Sequence, residues 1–174
     1  MIIGITIQCA LLCFKNVARK SPTNYILLSV FTICWTFMIG VICAKYDAMI
    51  VLTAALMTMV MTISLTLYAM FTKNDFTKLC GPFVCMGLMI IIAVSILMSI
   101  ISSIVFAYTA TYIPFFSGFM VIIYGLFLLI DTQLIVGGKR HELSIDDYII
   151  GALILYLDII MIFLHLLKIL GGNR

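Results

Sequence analysis

The sequence predicts an all-α polytopic membrane protein, a single bundle of about six transmembrane helices within residues 1–174, joined by short loops. Three observations predict it. The 174 residues are 65% hydrophobic and only 10% charged, with a mean hydropathy of +1.30. A soluble domain carries about a quarter charged residues, so this supply cannot cover an aqueous surface. Apolar runs long enough to cross the hydrocarbon layer, roughly 20 residues at 1.5 Å rise, recur along most of the chain. No run alternates apolar and polar residues as a barrel strand does. Backbone groups in lipid have to bond within their own segment, so each run reads as a helix.

Charged residues punctuate the runs. The first occupies 1–14 and is followed by Lys15, Arg19 and Lys20 with Pro22. The second is 24–43, ended by Lys45 and Asp47. The third is 49–72, ended by Lys73, Asp75 and Lys78. The fourth is about 83–106, entered through Gly81-Pro82 and closed by the uncharged link Ala107–Tyr112. The fifth is about 113–136, ended by Gly137-Gly138-Lys139-Arg140. The sixth is 148–170, after an acidic loop with Glu142, Asp146 and Asp147.

Loop charge sets the orientation. The loops after runs one, three and five hold three, two and two Lys/Arg, against Lys45, Lys168 and Arg174 on the other side. By the positive-inside rule the richer loops face the cytosol and the tail faces away. The tail's own charges point the other way, and a last run that dips in and returns stays open at this stage. The first run is short: fourteen residues make about 21 Å of helix, less than the roughly 30 Å of hydrocarbon. It either snorkels Lys15 outward and thins the bilayer or follows a helix upstream of Met1. A signal peptide fits poorly, since no basic residue precedes the run and no small-residue cleavage site follows.

Two acids lie inside runs: Asp131 about six residues from the cytosolic end of the fifth, and Asp158 about ten residues into the sixth. A carboxylate at that depth costs on the order of 3 kcal/mol even on the lenient insertion scale, which marks it as a functional candidate. Gly151, Asp158 and His165 recur at sevens and share one side of the last helix; Tyr124 and Asp131 do the same on the fifth. A short loop makes these helices antiparallel neighbours, so the aspartates can face each other. Facing carboxyls repel and are both desolvated, so they titrate as one coupled pair. Such a pair can share a proton, bind a divalent cation, or open when both ionise. The blander reading leaves each aspartate neutral or paired separately with Lys168, His165 or Lys15.

Other features carry less. The six cysteines (9, 13, 34, 43, 80 and 85) form no CxxC and lie mostly in apolar runs, as small hydrophobes do. His141 and His165 do not cluster with them, so no metal centre is expected. The net charge of +3 resides in loops and is no nucleic-acid signal. The methionines of the third run (Met49, Met57, Met59, Met61, Met70) read as lipid-facing residues or core filler.

The stretch from Tyr124 onward closely resembles the Bax-inhibitor/Lifeguard transmembrane family. Ile130-Asp131-Thr132-Gln133, the Gly137–Lys139 link, Leu143-Ser144, Asp146-Asp147-Tyr148 and Leu155-Tyr156-Leu157-Asp158-Ile159-Ile160 carry the resemblance. Weaker similarity covers Pro22–Asp47 and Lys73–Phe76. The resemblance implies a seven-helix protein of the endoplasmic reticulum, Golgi or plasma membrane. It implies a slow, pH-sensitive calcium leak and suppression of stress-induced cell death, with no cofactor beyond calcium itself as permeant or bound ion. The family's proton-sharing aspartates map onto Asp131 and Asp158, and Lys15 is the nearest match to a basic residue that engages the first of them. The family's first helix has no counterpart, and run 1–14 resembles the latter part of its second.

Two other classes stand beside this. A non-conducting regulatory partner of channels or apoptotic membrane proteins fits the same sequence. An intramembrane aspartyl protease also uses aspartates on consecutive helices, but Leu155-Tyr156-Leu157 replaces its GxG before the second aspartate and no Pro-Ala-Leu follows. No enzyme is expected. A proton-coupled transporter lacks support, since no internal inverted repeat is seen.

Overall fold

A computed structural model describes residue 19 and residues 21–79, 112–137 and 143–172. The expected runs 1–14 and 83–106, with Lys15, lie outside the described residues. The described chain is all-helical: α1 (Thr23–Cys43), α2 (Ala48–Phe71), α3 (Tyr112–Val136) and α4 (Tyr148–Gly171). Short 3-10 turns cover Phe76–Leu79 and Ile145–Asp147. All four helices are long and apolar enough to cross a membrane, and the protein is an integral membrane protein.

Several hydroxyls within the helices are satisfied locally. The hydroxyls of Ser29, Thr32, Thr53, Thr58 and Ser64 donate to carbonyls four residues back at 2.7–2.8 Å. This keeps them inside an apolar helix without an orphaned group. The helix ends are equally local. Thr72 turns extended after α2, its N–H donating to Tyr68 O at 2.9 Å. At the end of α3, Gly137 takes φ 75°, the left-handed conformation that only glycine adopts cheaply, and its N–H reaches Gln133 O at 3.1 Å.

α3 and α4 form the centre. Within their apolar windows 61% and 56% of residues are buried, against 6% for α1 and 11% for α2. α2 packs on both central helices, and α1 packs on α4. The main core joins Ala54 of α2, Tyr124, Phe127 and Leu128 of α3, and Ile162, Leu166 and Leu167 of α4. A second cluster seats Phe31 of α1 against Leu153 and Leu157 of α4. The outward faces of α1 and α2 (Ile33, Phe37, Met49, Phe71) remain apolar and exposed, as surfaces that meet lipid do. Met61, by contrast, turns inward beneath Gly125, where a Cβ would lie 2.9 Å from its Cε. Small residues at such crossings let membrane helices approach closely.

Polar ties place the loops at two ends of the bundle. Arg19 Nε and Nη2 donate to Asp147 Oδ1 and Oδ2 at 2.8 and 2.9 Å. Gln133 Nε2 donates to Asn74 O at 3.0 Å, and Gln133 Oε1 accepts from Phe76 N at 2.9 Å. The chain ahead of α1, the loop after α2 and the α3–α4 link therefore gather at one end, as loop charge predicts. At the other end the Tyr46 ring abuts Gly171, and Pro114 lies against Gly172. The 24 residues of α4 run unbroken over about 36 Å, from the first end to the second. The last run is thus one continuous helix long enough to cross, without the break that a dip and return needs.

Candidate functional site

The α3–α4 seam positions the two intramembrane acids. Asp131 and Asp158 are each 4% exposed, and their carboxyl groups lie close enough across the seam to interact directly. A hydrogen bond between two carboxyl groups requires that at least one carries a proton, because ionised carboxylates only accept. Oδ2 of each is buried and, among the described residues, takes no hydrogen bond from an amide, hydroxyl or basic group. The pair's own contact therefore bears the polar load, in a region where an uncompensated charge is costly.

Seven residues along the same seam, His165 of α4 stacks on Tyr124 of α3, with ring centroids 5.7 Å apart and planes 23° from parallel. Both pairs obey one antiparallel register, since seven residues separate them on each helix. His165 Nδ1 is buried without a hydrogen-bond partner among the described residues. Among the described residues neither His165 nor Lys168 forms an ion pair with either aspartate, and Lys15 lies outside them. Lys168 lies one turn beyond His165, in the last turn of α4. Gly151 closes the seam on the other side, where a Cβ would come 3.2 Å from Ile135 Cγ1.

Chemically, the pair can share one proton, or present oxygens to a cation once ionised. Among the described residues no group of three or more His, Cys, Asp or Glu surrounds a point. Calcium takes six to eight oxygens, so these two carboxyls alone do not make a closed calcium cage.

Three polar features escaped the sequence reading. Gln133, 1% exposed, fastens α3 to the end of α2. Asp147, 5% exposed, holds Arg19, and its hydrogen bond and charge raise the guanidinium pKa still further above its ordinary value. Tyr148 Oη accepts from Asn24 Nδ2 at 3.2 Å and donates to Tyr25 Oη at 3.0 Å. Gln133 alone had a legible signal, being an amide near a helix end in lipid that requires a partner.

The comparisons with known proteins agree with this architecture. The family described as "Inhibitor of apoptosis-promoting Bax1" matches residues 1–174. Protein lifeguard 3 of Homo sapiens is 37% identical over 166 residues, covering 94% of this chain and 52% of the relative. Protein lifeguard 3 of Mus musculus is 35% identical over 163 residues, covering 94% and 52%. Protein LIFEGUARD 3 of Arabidopsis thaliana is 34% identical over 155 residues, covering 87% and 58%. The chain thus spans about half the length of the human and mouse relatives. No solved structure matches it significantly.

Proposed function

The chain belongs to the Bax-inhibitor family, and from that premise we propose that it is a membrane regulator of cell death acting through a pH-responsive calcium leak. The observation that carries the reading is the pair Asp131–Asp158, buried side by side at the α3–α4 seam. A shared proton lets both carboxyls rest in an apolar seam. Its loss leaves two repelling charges that favour water, a cation or separation of the helices. That is a two-state element driven by proton activity. The family's description as an inhibitor of apoptosis-promoting Bax1 supports the cell-death role, and we place the leak in an intracellular membrane such as the endoplasmic reticulum or Golgi.

The test uses the full chain purified into calcium-loaded liposomes, with efflux measured across pH. A leak that depends on pH and is lost in Asp158→Asn supports the reading. Absence of efflux at every pH overturns it in favour of a non-conducting partner of apoptotic or channel proteins.

A further inference from the structure

We propose that the Arg19–Asp147 ion pair is a clasp that holds α1 against α4 beside the aspartate pair, making Arg19 and Asp147 positioning residues for the wall at Asp158. The pair is bidentate, at 2.8 and 2.9 Å, a geometry that adds orientation to charge. Its members are unequal. The Asp147 side chain is 6% exposed and Arg19 42%, so the carboxylate is set into the bundle and the guanidinium arrives from outside.

What the clasp secures is a lightly held helix. Only 6% of the apolar window of α1 is buried. Its polar ties to α4 are close to the clasp: Asn24 to Tyr148 at 3.2 Å, and the Tyr25 and Tyr148 hydroxyls at 3.0 Å. Its apolar tie centres on Phe31, fully buried with Leu153 and Leu157 and edge-on to Tyr156 at 5.8 Å, with Leu27, Leu28 and Trp35 packed half-buried around that cluster. Leu157 is the residue next to Asp158 in the chain. Asp147 and Asp158 are eleven residues apart, about 16 Å along the helix, so the clasp and the Phe31 seat grip α4 at its start and at the depth of the acids. Helices with few buried contacts open first. With the clasp broken, Phe31 loses its seat and the α4 face beside Asp158 is uncovered. This mechanical claim stands on contacts alone; only its effect on a leak rests on the function proposed above.

Hydrogen–deuterium exchange on the full chain in lipid nanodiscs tests it, read on α1 and on residues 149–158 with α3 as the control. Arg19→Gln and Asp147→Asn are each expected to raise exchange in α1 and at the start of α4 several-fold, with α3 unchanged. The reversed pair, Arg19→Asp with Asp147→Arg, is expected to restore protection. Because a reversed pair can misfold, Arg19→Lys serves as a second variant, expected to fall between wild type and Arg19→Gln. Unchanged exchange in both single variants, or a rise spread equally over α3, overturns the clasp. In liposomes, the clasp predicts faster efflux in Arg19→Gln that vanishes when Asp158→Asn is added. A wild type without efflux refutes the leak alone and leaves the exchange result to decide the clasp.

Discussion

Replacing Gln133 by Met should weaken the protein by about 2 kcal/mol, because this amide is the polar fastening between α3 and the end of α2. It makes three contacts: Nε2 to Asn74 O at 3.0 Å and to Ala69 O at 3.3 Å, and Oε1 from Phe76 N at 2.9 Å. Methionine keeps the volume and removes all three. A buried donor or acceptor left unmade costs about 1–3 kcal/mol. Asn74 is exposed and Phe76 half-buried, so water recovers part of the loss and the total stays within that range. Thr132→Val is the matched control. It removes the hydroxyl that donates to Leu128 O at 2.6 Å, a carbonyl the helix already engages, and should cost under about 1 kcal/mol. For a chain of this size about 1 kcal/mol moves Tm by roughly 2–4 °C, so Gln133→Met should lower it by about 4–8 °C. The assay is thermal unfolding in detergent at one fixed scan rate, since membrane proteins seldom unfold reversibly. A loss no larger than that of Thr132→Val refutes the bridge.

Three further predictions follow from the packing. Gly171→Ala drives a methyl into the Tyr46 ring and should cost about 1–3 kcal/mol; in a Tyr46→Ala background the same change should cost under about 1 kcal/mol, measured by the same melts. His165→Phe preserves the stack on Tyr124 and removes the buried Nδ1, which has no partner among the described residues, so it should stay within about 1 kcal/mol of wild type. His165→Ala leaves a cavity and should cost about 2–4 kcal/mol, and equal losses for the two refute the assignment. Tyr46, in the α1–α2 link, has its phenol pKa raised by burial and by Cys43. A raised value favours the protonated form in the folded state, so its contribution is intact below the ordinary tyrosine value near ~10 and disappears as pH climbs past it. Tm should fall in that alkaline window and fall less in Tyr46→Phe.

The helices were legible because lipid imposes a length and a composition. The apolar runs at 24–43, 49–72, 113–136 and 148–170 became Thr23–Cys43, Ala48–Phe71, Tyr112–Val136 and Tyr148–Gly171. The juxtaposition of Asp131 and Asp158 was legible too, since acids are expensive in lipid and the seven-residue spacing gives each a face. The clasp was not. Arg19 and Asp147 are separated by 128 positions, both stand between apolar runs among other charges, and such charge declares a side of the membrane but no partner. Gln133 fell between these cases, since its need for partners was readable but their identity depended on how the chain turns after Phe71. Tyr124 and His165 were each placed on the face of an aspartate, yet only the helix pairing shows that they stack.

The measurement that bears most directly on the central claim is the pH dependence of calcium efflux from liposomes holding wild type or Asp131→Asn at matched protein density. The aspartate-pair account predicts that wild-type efflux changes with pH, while the variant's carboxamide, which cannot take part in proton sharing, flattens that dependence. Efflux whose pH profile is the same in both proteins would contradict it.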